Sequence, residues 1–151
     1  MAKYKTHLCI NIFVFLPITA GIIYYFLSPR PLDWLCFIAS YLYGTFFMGP
    51  DLDLIHQVRL FSFRALFSLP FFGYSKVFKH RGISHQIILG TTTRIIWLFG
   101  FILLTAGLIL SLQEGYHCLL QFGKTHKQEL LYITVALFSS DTAHIITDLA
   151  K

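Results

Sequence analysis

The sequence predicts an all-α integral membrane protein, with about four transmembrane helices and a short interfacial helical segment between the second and third. Three observations predict it. Apolar residue types make up 56% of the 151 residues and charged types only 13%, against about 25% charged in a typical soluble domain. Mean hydropathy is +0.65. The apolar residues gather into four long runs, the first of them about the ~20 residues a helix needs to cross a bilayer. Too little polar surface is encoded for a water-soluble globule. The composition therefore excludes a disordered chain, a secreted disulfide scaffold and an ordinary cytosolic enzyme, and the length fits one membrane domain over 1–151.

The first run, Leu8 to Leu27, is uncharged and follows Lys3 and Lys5. Its apolar character continues past Thr19-Ala20-Gly21, which favours a retained helix over a cleaved signal peptide. Ser28-Pro29-Arg30-Pro31 ends it, because proline cannot continue the helical ladder. The second run, Leu32 to Met48, opens with Asp33 as its expected N-cap and stops at Gly49-Pro50. Leu60 to Tyr74 is Phe-rich, broken by Pro70 and too short to span. It reads as a helix lying in the interface, with a re-entrant or packed loop as the alternative. The third span runs from about Ile87 to Leu110, and its single charge, Arg94, is expected to snorkel to the surface. Ser111 to Gln128 reads as a loop. The fourth span is Glu129 to Ala150, apolar as far as Phe138 and then polar: Ser139, Ser140, Asp141, Thr142, His144, Thr147, Asp148.

The formal charge of +5 fits Lys and Arg held beside anionic headgroups, and no nucleic-acid motif accompanies it. With four spans, one side carries Lys3, Lys5, Arg59, Arg64, Lys76, Lys79, Arg81 and Lys151, and the other only Arg30, Lys124 and Lys127. The bias places both termini and the 51–86 segment in the cytoplasm, in what the resemblance given below implies is a bacterial inner membrane. Cys9, Cys36 and Cys118 form no CxxC, so neither a structural disulfide nor a thiolate zinc site is expected.

Seven histidines against seven acidic residues is an unusual ratio for such an apolar chain, since ionisable groups are costly in a membrane. The four-span topology brings their clusters to one side. His7 opens the first span. Asp51 and Asp53 follow the second. His80-Arg81-Gly82-Ile83-Ser84-His85 precedes the third. Asp141, His144 and Asp148 occupy the cytoplasmic half of the fourth. Imidazole with carboxylate is the donor set of zinc, manganese and iron sites. His144 and Asp148 are four apart, hence neighbours on one helical face, with Asp141 on its edge. Asn11, four after His7, is placed to orient that imidazole. His56, His117 and His126 read as ordinary loop histidines.

Thr6-His7, Gly49-Pro50-Asp51-Leu52-Asp53, His80-Arg81-Gly82-Ile83-Ser84-His85 and His144 with Asp148 occur in an order that resembles a family of small bacterial membrane proteins described as metal-binding. The likeness covers nearly the whole chain. A more distant resemblance is to inner-membrane metal-dependent hydrolases, with their Pro-Asp-x-Asp, His-Arg-x-x-(Ser/Thr)-His and late His-x-x-x-Asp. A weaker one is to zinc-dependent phospholipase C. Asp141 lies outside these shared motifs. The resemblance implies metal and hydrolysis without naming a substrate.

The expected metal ligands are therefore His7, Asp51, Asp53, His80, His85, His144 and Asp148, around divalent metal, zinc first, with manganese or iron as alternatives. Seven exceed one tetrahedral ion, so two metals or a division into ligands and base is implied. Asp53 or Asp141 is the expected general base. Arg81, with Arg94, is expected to hold an anionic phosphate. The leading expectation is a metal-dependent hydrolase at the cytoplasmic membrane interface, acting on a phosphoester or lipid-like substrate, with membrane lipid as partner and no nucleic acid. The alternatives are an ion- or metal-handling transporter and a non-catalytic protein with a structural metal site.

Overall fold

A computed structural model describes residues 4–48, 67–78 and 86–149. All regular structure among the described residues is helical. The first rod is α1 (Tyr4–Ile10), a π-helical turn (Asn11–Phe15) and α2 (Leu16–Leu27), end to end. Pro17 accounts for the π turn. Its ring would clash with the carbonyl four residues before it, and it offers no N–H to that carbonyl. Widening the preceding turn relieves the clash, and the Leu16 N–H reaches back five residues to the Asn11 carbonyl. The rod passes Thr19-Ala20-Gly21 without a break and ends at Ser28, which adopts a left-handed conformation (φ 42°).

Helix α3 (Pro31–Phe47) starts with a reciprocal cap. Asp33 accepts from the Arg30 backbone N–H at 3.0 Å and from the Arg30 guanidinium at 2.9 Å. Asp33 is thus the third helical residue rather than the expected N-cap, because Pro31 takes the first position and Arg30 the cap. The expected interfacial helix from Leu60 to Tyr74 lies partly outside the described residues. Its remainder is a 3-10 turn (Leu69–Phe71) followed by one helical turn, α4 (Tyr74–Val77). This stretch packs on the next helix, with the Trp97 Nε1–H donating to the Pro70 carbonyl at 2.8 Å.

Helix α5 (Ile87–Ile109) leads into α6 (Leu112–Thr125) and α7 (Lys127–Leu149). Helix α6 corrects the expected loop from Ser111 to Gln128. Its missed signal is the sequence Ser111-Leu112-Gln113-Glu114, a capping box. The Ser111 hydroxyl accepts from the Glu114 N–H at 3.2 Å and donates to the Glu114 carboxylate at 2.8 Å.

Thr6–Leu27, Ile88–Ile109 and Lys127–Leu149 are long and apolar enough to cross a membrane. Helix α3 has 17 residues, about 25 Å at 1.5 Å per residue, and falls short of that length. It nonetheless forms a fourth leg of the bundle. At one end Arg30 meets Asp33 and Glu129, and at the other Met48 meets Arg94. The α3–α7 pair forms the centre of the bundle. A Cβ on Gly44 would lie 3.0 Å from the Ser140 hydroxyl, so glycine permits this approach. Ile23, Phe37, Tyr41, Tyr132 and Ala136 form one core cluster, and Met48, Phe71, Tyr74 and Leu137 another. The outward faces stay apolar and exposed, as at Phe13, Tyr25, Phe99 and Leu108.

Candidate metal centre

The up-and-down path of the four legs sets the start of α1 beside the end of α7. His7 Nε2 lies 3.3 Å from Asp148 Oδ1, and His144 Nε2 lies 3.6 Å from Asp148 Oδ2. The two imidazoles stack nearly parallel, with centroids 4.8 Å apart and planes 13° apart. One donor atom from each of the three residues falls within 4.8 Å of the others. Both histidines are buried, whereas the Asp148 side chain is 40% exposed, so the cluster opens toward the surface on its carboxylate side.

This donor set fits a divalent ion. Two imidazole nitrogens and one carboxylate oxygen match zinc, manganese or iron chemistry. One turn below, Asn11 is buried and its Oδ1 accepts no hydrogen bond from the described residues. Its amide nitrogen reaches the Ser140 carbonyl at 3.4 Å, and its own carbonyl accepts from the Tyr41 hydroxyl at 3.3 Å. Asn11 therefore ties the π turn to α3 and α7.

Asp141, the third polar residue of the expected α7 cluster, faces Arg94 instead. Arg94 Nη2 lies 2.9 Å from Asp141 Oδ2, and Nη1 donates to Oδ1 at 3.2 Å. The Thr91 hydroxyl donates to the same carboxylate at 2.5 Å. Arg94 Nε donates to the Gly90 carbonyl at 3.0 Å and Nη1 to the Met48 carbonyl. Arg94 is fully buried. This corrects both expectations for Arg94: it neither snorkels to the surface nor is free to hold a phosphate. The physical reason is depth. Arg94 stands seven residues into α5 and Asp141 eight from the end of α7, about 10 and 12 Å from the same end of the bundle. Two opposite charges at one depth in apolar surroundings pair with each other. The signal available in the sequence was one lone cation, Arg94, and one anion outside the shared motifs, Asp141, at matching depths on two different apolar helices.

Asp51, Asp53, His80, Arg81 and His85 lie outside the described residues, as does His56. His117 is exposed on α6, which replaces the expected loop, while His126 is the single bend residue connecting α6 and α7. The three cysteines are free. At the opposite end of the bundle, Asp33 also accepts from the Gln128 side chain at 2.9 Å, closing a polar network with Arg30 and Glu129 far from the histidines.

Comparison with known families bears on whether the chain binds metal. The family described as "Uncharacterized metal-binding protein (DUF2227)" matches residues 2–151. The chain belongs to this DUF2227 metal-binding family. A relative described as "Uncharacterized protein", from Aquifex aeolicus (strain VF5), is 39% identical over 61 residues. That match takes in 39% of this chain and 41% of the relative, so the chain spans about two-fifths of the length of the curated relative it matches. No solved structure matches. The family is described as metal-binding, and among the described residues His7, His144 and Asp148 are grouped closely enough to hold a metal ion.

Proposed function

We propose that this protein is a multi-pass membrane metal enzyme, a metal-dependent hydrolase acting at the cytoplasmic face on a phosphoester or lipid-like substrate. One observation carries the reading: two buried imidazoles and a half-exposed carboxylate converge at one end of an apolar helical bundle and leave one side open. A closed structural site would have no use for the open side. His7 and Asp148 meet at one end, which suits an even number of crossings, with α3 as the short fourth. The charge bias assigns that end to the cytoplasm.

His7, His144 and Asp148 would hold the metal, zinc first, with Asp51, His80 and His85 as the proposed source of any further ligand. A bound divalent ion lowers the pKa of its water and supplies hydroxide near neutral pH. The remaining chemistry belongs to the chain. Both oxygens of Asp141 are taken by Arg94 and Thr91, so Asp53 is the base that accepts the proton. Arg81 pairs with the anionic phosphate, a task its planar fork suits. Asn11 Oδ1 supplies a buried acceptor one turn beneath the histidines.

The transporter reading needs a polar path from end to end. Between the histidine end and the Asp33 end lies the apolar cluster of Ile23, Phe37, Tyr132 and Ala136, which favours a one-sided site. The test is turnover of phospholipids and isoprenoid phosphates by metal-loaded protein in detergent, wild type against His85→Ala. Chelator should abolish turnover and added metal restore it. If no substrate is cleaved faster by wild type than by the variant, the hydrolase reading fails and a structural metal site replaces it.

A further inference from the structure

The pair Arg94–Asp141 has no part in the donor set, yet it lies beside it. Asp141 precedes His144 by three residues and Asp148 by seven on α7, so all three share one side of that helix. Arg94 is fully buried and divides its donors among three elements: the Gly90 carbonyl of its own helix α5, both oxygens of Asp141 on α7, and the carbonyl of Met48 at the end of α3. Thr91, on the first turns of α5, fixes the Asp141 carboxylate from a second direction. The brace thus joins the three legs about one turn deeper than His144 and two turns deeper than Asp148. It also holds the last carbonyl before Gly49-Pro50-Asp51-Leu52-Asp53 in the chain.

Fold stability alone does not explain such a pair. Replacing a buried ion pair with apolar side chains of similar volume is often neutral or stabilising, because the desolvation of both charges is avoided. What an apolar pair does not do is fix direction: a guanidinium fork specifies three acceptors and their mutual geometry. We propose that Arg94 and Asp141 are positioning residues of the metal centre, setting the rotation and depth of α7, and with it His144 and Asp148, against the end of α3. The proposal rests on the metal-centre reading, and its test separates the two.

The test measures zinc affinity, by competition with a chromophoric chelator, and the visible spectrum of the cobalt-loaded protein, on the full chain in detergent. The variants are Arg94→Met/Asp141→Leu, Arg94→Lys and, as reference, His144→Ala. The apolar double variant should keep wild-type helicity and thermal midpoint, while zinc affinity falls roughly tenfold or more, the usual effect of removing a group that orients ligands. Arg94→Lys keeps the charge but not the fork, and should shift the cobalt bands and weaken zinc binding while remaining folded. Wild-type zinc affinity and cobalt spectrum in either folded variant, alongside a loss in His144→Ala, would overturn the positioning role and leave the metal centre standing. Wild-type affinity in His144→Ala would remove the metal centre, and the positioning role with it.

Discussion

At the scale of single residues, the charged and imidazole groups buried among the described residues meet one another in pairs and clusters. His7 and His144 converge on Asp148, and Arg94 converges on Asp141. Removing one member of such a set costs more than the set contributes, because the remaining group is left buried and unsatisfied. Arg94→Ala strands Asp141 and should destabilise the fold by about 3–5 kcal/mol, read as a lowered unfolding midpoint in detergent; an unchanged midpoint would contradict the buried pair. His144→Ala and Asp51→Ala should each lower bound zinc or manganese roughly tenfold or more, measured by elemental mass spectrometry of purified protein. His117→Ala, on the exposed face of α6, should leave metal content unchanged. Equal metal in all three variants would remove the site assignment.

Elements decide where those residues meet. The π turn at Asn11–Phe15 lies between His7 and Pro17, so Pro17 acts on the site without touching it. An extra residue in one turn rotates everything before it relative to everything after it, by up to about 100° for each residue inserted into a helix of 3.6 residues per turn. Pro17→Ala removes the reason for the wide turn, and relaxation to α-helix should swing His7 away from His144. The expected result is weaker zinc binding in a protein of unchanged helicity. Equal affinity would show that the turn is held by Asn11 and Tyr41 alone. Close approach of α3 and α7 depends on Gly44, and Gly44→Ala should cost about 1–3 kcal/mol through overpacking against Ser140. Much of the element structure was legible beforehand. The starts and stops of the long helices follow proline, glycine and the capping residues. Helix α6 was not, since its polar face and short length resembled a loop, although Ser111 and Glu114 announce its start.

At the scale of the whole molecule, four legs run up and down so that polar groups separated by most of the chain share one end. The charge bias then predicts a sidedness: reporter fusions at Lys151 and near Thr125 should fall in opposite compartments. A common compartment for both would break the four-crossing arrangement. The apolar cluster of Ile23, Phe37, Tyr41, Tyr132 and Ala136 lies between the two polar ends, and at the histidine end Asp148 is the exposed member of the cluster.

The sequence alone determined what depends on composition and on neighbours along the chain. Its 56% apolar content dictates helices, because backbone groups in an apolar medium must satisfy one another locally. The four-residue spacing of His144 and Asp148 dictates a shared face. The motif order pointed to metal before any geometry was known. Tertiary structure alone decided which polar residues belong together. His7 stacks on His144 across two helices far apart in sequence, and Asp141 pairs with Arg94 at similar depth on an adjoining helix. Helical periodicity carries information over a few residues. Rotation about a helix axis and depth along it are relations between helices, and they are settled only when the helices pack.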